Sequence, residues 1–268
     1  MTEPTRKPAD RPLAGRTAIV TGSGRNIGRA IALAPWFASA SAMANQGASV
    51  VVNGHADRAA VDAVVEEIRG TGGQAMAAMA DVSSDDAVAS MVRAAVETFG
   101  SVDILVSNVA KRHMQPFLEI TPEQWDEVLR TNLTAAYYLA RHAIPLMQIG
   151  QWGRIVLISG FDGFWGHVTH RAHNVTAKAG LHGLAMALAR EFGPHNITAN
   201  TVAPGAIDTV RDWTQYVHQP REQIEREIPL GRFGKVEEVA AACELLCSDR
   251  GGFISGQVIH VNGGHYMY

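Results

Sequence analysis

Eight residues, Thr21-Gly22-Ser23-Gly24-Arg25-Asn26-Ile27-Gly28, have the makings of a phosphate cradle. The β-branched run Thr17-Ala18-Ile19-Val20 precedes them and reads as a buried strand. Arg29-Ala30-Ile31-Ala32-Leu33 follows and reads as helix. Small residues in such a turn let backbone come close to a pyrophosphate, and the free N–H groups of the helix N-terminus point at its charge. A second group suits proton chemistry: His167, His170 and His173 are spaced three apart just ahead of Asn174, with Lys178 four residues further on. Histidine titrates near pH ~6.5, within reach of acid–base work. His113 is a further candidate. A zinc site is not expected from these histidines, because no acidic or cysteine ligand accompanies them. Phe161, Phe164, Trp165, Trp213 and Tyr216 suggest an apolar or aromatic substrate pocket, or else plain packing. Arg171 and Arg211 are either anion contacts or surface charges.

These groups need a frame, and strand-like runs alternate with helix-like runs along the chain. The pattern predicts strands at 16–21, 48–53, 74–79, 103–107, 153–159, 197–203 and 257–261. It predicts helices near 27–46, 57–70, 84–99, 122–149, 173–192, 209–227 and 235–247. That alternation implies an α/β fold, a doubly wound parallel sheet with helices on both faces. Ligands of such sheets bind beyond the carboxyl ends of the strands, where most of the motifs fall. One domain over 13–268 is expected, with 1–12 a loose polar tail. Pro35 should kink or end the first helix, leaving Trp36 and Phe37 to pack in the core or against another subunit.

The 268 residues are 47% hydrophobic, enough for one large core, and carry a net charge of −3. No basic field invites nucleic acid. No apolar run is long enough to span a membrane, and no signal-peptide pattern opens the chain, so a cytoplasmic protein is expected. Cys243 and Cys247 read as core thiols on a helix.

From about Leu13 to Gly264 the chain resembles the short-chain dehydrogenase/reductase superfamily. The resemblance rests on the glycine turn, Asp81-Val82, Ser107-Asn108-Val109-Ala110, Thr131-Asn132-Leu133, Lys178, Pro204-Gly205-Ala206-Ile207-Asp208-Thr209 and Val261-Asn262-Gly263-Gly264. It implies a Rossmann-like single domain and a nicotinamide dinucleotide. Gly22, Arg25, Asn26, Ile27 and Gly28 would line the pyrophosphate, and Asp81 and Val82 the adenine. Asp81 would serve equally as a cap for the helix after Ser83 and Ser84. Asn108 and Ala110 would pass the adenine-side ribose, Lys178 would hold the nicotinamide ribose, and Pro204, Gly205, Ile207 and Thr209 would touch the nicotinamide and its phosphate. Asn26 stands where the family usually has glycine, and asparagine tolerates a left-handed backbone. After the second strand come Asn53-Gly54-His55-Ala56, with no acid to grip a ribose 2′-OH. NADP is therefore favoured over NAD, with Arg25, helped by His55, facing a 2′-phosphate.

The family's chemistry uses an Asn, a Ser, a Tyr and a Lys. Asn132 and Lys178 match, but the tyrosine position, four before the lysine, holds Asn174, and the serine position falls on Gly160 with Ser159 one place early. An asparagine amide can polarise a carbonyl but cannot give up a proton at usable pH. His173, or Lys178 working through water, would have to substitute. Two functions are thus expected. One is an oxidoreductase acting on a small carbonyl, alcohol or imine; the other is a non-redox lyase, isomerase, regulator or inactive subunit that keeps the cleft. The family also implies a homotetramer, with a dimer next, through helices 122–149 and 173–192.

Overall fold

A computed structural model describes residues 11–33, 43–44, 46–166, 169–210 and 220–267. The insertion around Pro35, Trp36 and Phe37 lies outside these residues, as do His167, Arg211, Trp213, Tyr216 and most of the N-terminal tail.

Seven strands alternate with the helices: β1 (Thr17–Val20), α1 (Asn26–Leu33), β2 (Ser49–Gly54), α2 (Arg58–Gly70), β3 (Gln74–Met79), α3 (Asp85–Phe99) and β4 (Ile104–Ser107). Then come α4 (Pro122–Leu129), α5 (Ala135–Gly150), β5 (Gly153–Ile158), α6 (Ala172–Phe192), β6 (Ile197–Pro204), α7 (Arg221–Glu227), α8 (Val236–Cys247) and β7 (Val258–Val261). The strands form one sheet in the order β3-β2-β1-β4-β5-β6-β7, parallel throughout. The order reverses between β1 and β4, so their carboxyl ends open a crevice where the chain turns away to opposite sides.

Both faces of the sheet are buried, as continuous apolar strands require. On β1, Ala18 and Val20 face the core built with α1, α2 and α8, while Ile19 faces the core built with α3, α5 and α6. On β4, Ile104 and Val106 join the first core and Leu105 the second, the period-two alternation of a pleated strand. Cys243 and Cys247 are free thiols buried on α8, and burial pushes Cys243 up to about 12.

Three predicted helices differ from the structure: of the one expected over 27–46, residues up to Leu33 are helical, Met43, Ala44 and Gln46 lie in turns, and 34–42 and 45 are outside the described residues. The helix expected over 122–149 is interrupted by a π-helical turn at Arg130–Thr134, and Asn132 sits in it. An amphipathic pattern cannot reveal one inserted residue's worth of unwinding, and such turns concentrate at functional positions. Of the helix expected over 209–227, Arg221–Glu227 is helical as α7 with Pro220 at its N-cap, Thr209 and Val210 are not helical, and 211–219 lie outside the described residues. Among the described residues no helix is long and apolar enough to cross a membrane.

Candidate active site

The glycine turn after β1 is shaped by contacts that leave no space for side chains. Gly22 is left-handed (φ 59°), and a Cβ there would come 3.1 Å from Val109. A Cβ on Gly28 would fall 2.3 Å from the Gly22 carbonyl oxygen and 2.6 Å from Asn108 Nδ2. Asn108 closes the other side: its backbone N–H donates to Thr21 Oγ1 (2.9 Å) and its amide to the Thr21 carbonyl (3.1 Å). The ends of β1 and β4 are thereby locked together at the switch point. Asn26 adopts the left-handed backbone (φ 51°) expected of it. Its side chain also exchanges two hydrogen bonds with Val210, donating to the carbonyl (3.2 Å) and accepting from the N–H (2.9 Å). The glycine turn is thus tied to the segment after β6.

A cleft of about 490 Å³ opens over this turn. Ten of the residues assigned to a cofactor line it: Gly22, Arg25, Asn26, Ile27, Asn108, Ala110, Pro204, Gly205, Ile207 and Thr209. Val109, Arg112 and Val210 line it too, and sequence reasoning did not single them out for it. Gly28 lies directly beneath, against Gly22. Asn53 is buried; its amide donates to the carbonyls of Ala78 (3.0 Å) and Ala80 (3.1 Å), bracing β2 against β3, and its side-chain oxygen accepts from the Gly22 N–H of the turn (3.4 Å). His55 lies beside Asp81 (3.5 Å). Asp81 accepts from the Ser83 N–H (2.9 Å) and hydroxyl (2.7 Å), the local turn that leads into α3. Partial burial pushes its carboxyl up, but the Ser83 donors and the His55 and Lys111 charges outweigh that and hold it below its usual value. Val82 is packed in the core under α3.

Asn132, Asn174 and Lys178 converge on two backbone carbonyls. Asn132 accepts from the Lys111 N–H (2.7 Å) and donates to the Lys111 carbonyl (2.8 Å). Asn174 donates to the same carbonyl (3.2 Å). Lys178 is one turn further along α6, and its Nζ donates to the Ile158 carbonyl at the end of β5 (2.7 Å). Burial pushes its ammonium down to about 7; Arg112 adds to the shift and Asp162 opposes it. The Ser159 hydroxyl donates to Val202 inside the sheet (3.3 Å).

A family profile described as enoyl-(acyl carrier protein) reductase matches residues 25–266. The 3-oxoacyl-[acyl-carrier-protein] reductase FabG of Staphylococcus aureus is 38% identical over 253 residues, covering 94% of this chain and 98% of its own. The protein of the same name from Aquifex aeolicus is 37% identical, covering 95% and 98%. A solved short-chain dehydrogenase/reductase variant from Serratia marcescens superposes with a TM-score of 0.86 at 30% identity, covering 95% of this chain and 99% of its own. The chain belongs to the short-chain dehydrogenase/reductase family. It is accordingly an oxidoreductase of that type.

The remaining candidates of this family member are not among the described residues that line the cleft. His173 is wholly buried at the start of α6, its ring 6.4 Å from that of His113. Burial lowers its pKa, and His113 adds to the shift while the Arg171 backbone opposes it. His113 leans toward Glu127 (3.7 Å), which also pairs with Lys111. His170 is left-handed (φ 65°), and its carbonyl accepts from Gln115 (2.8 Å). Arg171 pairs with Asp162 (3.2 Å). The rings expected to form an apolar pocket pack instead on the C-terminal segment: Phe164 stacks on His182 (4.1 Å) and meets His260 (4.9 Å), and Trp165 stands edge-on to His265 (5.5 Å). Phe161, Phe164 and Trp165 are not among the described residues that line the cleft over the glycine turn. Among the described residues no three His, Cys, Asp or Glu side chains gather as a metal site would need.

Proposed function

We propose that the protein is an NADP-dependent oxidoreductase of a small carbonyl, alcohol or imine, in which Lys178 holds the proton that a tyrosine would otherwise handle. The observation that carries this reading is the cradle: the close approach of Gly28 to Gly22 and Asn108 leaves bare backbone facing a cleft lined by Arg25. Such a surface fits a dinucleotide, with Gly22, Arg25, Asn26 and Ile27 on its phosphates and Pro204, Gly205, Ile207 and Thr209 toward its nicotinamide. Bound there, the dinucleotide would supply or take the hydride. Among the described residues no acid lines the cleft, so a 2′-phosphate would meet Arg25 with no carboxylate of these residues opposing it. NAD is the second reading, favoured by the distance at which His55 is held, beside Asp81.

The chain's own groups would handle the proton. An amine held at about 7 exchanges its proton at neutral pH, which an asparagine amide does not. Asn132 and Asn174 act as positioning residues that hold the Lys111 carbonyl. An imine that arrives protonated needs less from such a site than a ketone does. The names of the relatives, reductases acting on a 3-oxoacyl group, favour redox chemistry over the lyase, isomerase or inactive-subunit readings. A homotetramer is part of the proposal, and Tyr137 on α5 and Met186 on α6 are exposed where it would form.

Calorimetric titration of NADPH and then NADH tests the cofactor assignment. NADPH should bind about 10–100-fold tighter, the worth of one or two charge-assisted hydrogen bonds, and Arg25→Ala should erase the difference. Equal affinities in the unaltered protein would overturn the preference.

The proton assignment has its own test once a substrate is found by screening. His173→Ala should keep the limb of the pH–rate profile near 7, and Asn174→Ala should lower kcat about tenfold without moving it, as loss of a positioning hydrogen bond implies. Loss of that limb in His173→Ala would transfer the proton to His173.

A further inference from the structure

The loop after β4 carries three consecutive cations or titratable bases, Lys111, Arg112 and His113, and the structure treats them differently. Lys111 and His113 both turn to Glu127 on α4. Arg112 instead lines the cleft with Ala110, Pro204 and Gly205. Among the described residues its guanidinium makes no hydrogen bond and no ion pair. Its backbone neighbour is among the most firmly held in the site, with Asn132 bonded to both the N–H and the carbonyl of Lys111 and Asn174 bonded to that carbonyl again. The guanidinium is therefore presented from a pinned stretch of main chain.

Among the described residues no carboxylate pairs with Arg112. Its field reaches Lys178, where it opposes protonation. The one carboxylate whose field also reaches Lys178, Asp162, is already paired with Arg171 (3.2 Å). Arg25, the other cation among the described residues of the cleft, belongs to the glycine turn after β1, a different strand end. A guanidinium is a rigid planar fork that matches a carboxylate with two parallel hydrogen bonds, and it stays charged at any working pH.

We propose that Arg112 is the anchor for a carboxylate on the substrate, so that the protein acts on an oxo acid or hydroxy acid in its anionic form. This rests on the oxidoreductase reading for the reaction but not for the binding. Arg112 would fix one end of the substrate by its charge and leave the carbonyl or carbinol toward Lys178. The carboxylate would in turn relieve the repulsion between Arg112 and the Lys178 ammonium, favouring the protonated amine when substrate is present.

The test uses acetoacetate and benzoylformate, each beside its uncharged methyl ester, titrated calorimetrically into the protein alone and into the protein saturated with NADP⁺. At least one acid should bind about tenfold or more tighter than its ester, the least expected of a hydrogen bond to a charged group. Arg112→Gln should bring acid and ester together, and Arg112→Lys should restore part of the preference. Equal binding of acid and ester to the unaltered protein overturns the proposal. So does an Arg112→Gln variant that loses NADP⁺ affinity as steeply as it loses the acid, which would give the guanidinium to the cofactor phosphates. If NADP⁺ fails to bind while the acid preference and its loss in Arg112→Gln persist, the cofactor reading falls and the carboxylate anchor stands.

Discussion

Gly28→Val should weaken dinucleotide binding by about 100-fold or more while the sheet still forms. The expected size follows from the loss of two or more backbone bonds to phosphate, each charge-assisted and worth about 1.5–3 kcal/mol. The geometry explains why no relaxation rescues it: the new Cβ would meet the Gly22 carbonyl at 2.3 Å and Asn108 at 2.6 Å, both parts of the cradle itself. Gly24 is the internal control. A Cβ there meets Ala60 at 3.4 Å and the Val61 backbone nitrogen at 3.5 Å, both ordinary contacts. Gly24→Ala should therefore bind the cofactor within a few-fold of the parent. Calorimetry on both variants, with far-ultraviolet dichroism to confirm folding, decides the matter. A Gly28→Val protein that binds like the parent would show that the cleft over this turn is not the dinucleotide site.

Lys178→Met should remove turnover by about 10²–10⁴, the usual worth of a positioned acid or base, and yet raise the melting temperature of the cofactor-free protein. The charged amine is buried with a single hydrogen bond to the Ile158 carbonyl, and an apolar side chain of similar length avoids that desolvation. The pH dependence gives the sign. The folded protein holds Lys178 near 7, whereas the unfolded chain holds it near the ordinary 10.5. Below 7 both states carry the charge and the folded state bears its full desolvation. Between 7 and 10.5 the unfolded state binds more protons, so the parent gains stability as pH rises. The melting advantage of Lys178→Met should thus be largest near pH 6 and shrink toward pH 10, as read by thermal melts across that range. A variant that melts lower than the parent at pH 6 would mean that the hydrogen bond to Ile158 outweighs the cost of the buried charge.

The same two residues show what can be read from a chain and what cannot. Gly28 was legible because a strand, a small-residue turn and a helix in sequence admit few uses, and all three are local. The central strands were legible for the same reason: apolar runs such as Val50-Val51-Val52 and Ile104-Leu105-Val106 are buried on both faces. Lys178 was legible by position, but not its lowered pKa, which arises from burial and from Arg112, 66 positions away in the chain.

The sequence by itself determined the fold class, the parallel sheet, the crevice at its carboxyl edge and most of the residues that line it. The first three follow from patterns within a few residues of one another, and the lining residues from the resemblance to the family. Tertiary structure alone decided which way each polar side chain turns. Asn53 braces β3, Asn174 joins Asn132 on the Lys111 carbonyl, Asn26 clasps Val210, and the aromatic residues after β5 pack on the C-terminal segment. The π-helical turn at Asn132 belongs to the same class. A short polar side chain has several partners within reach, and its choice depends on which distant backbone groups the fold brings to hydrogen-bond distance.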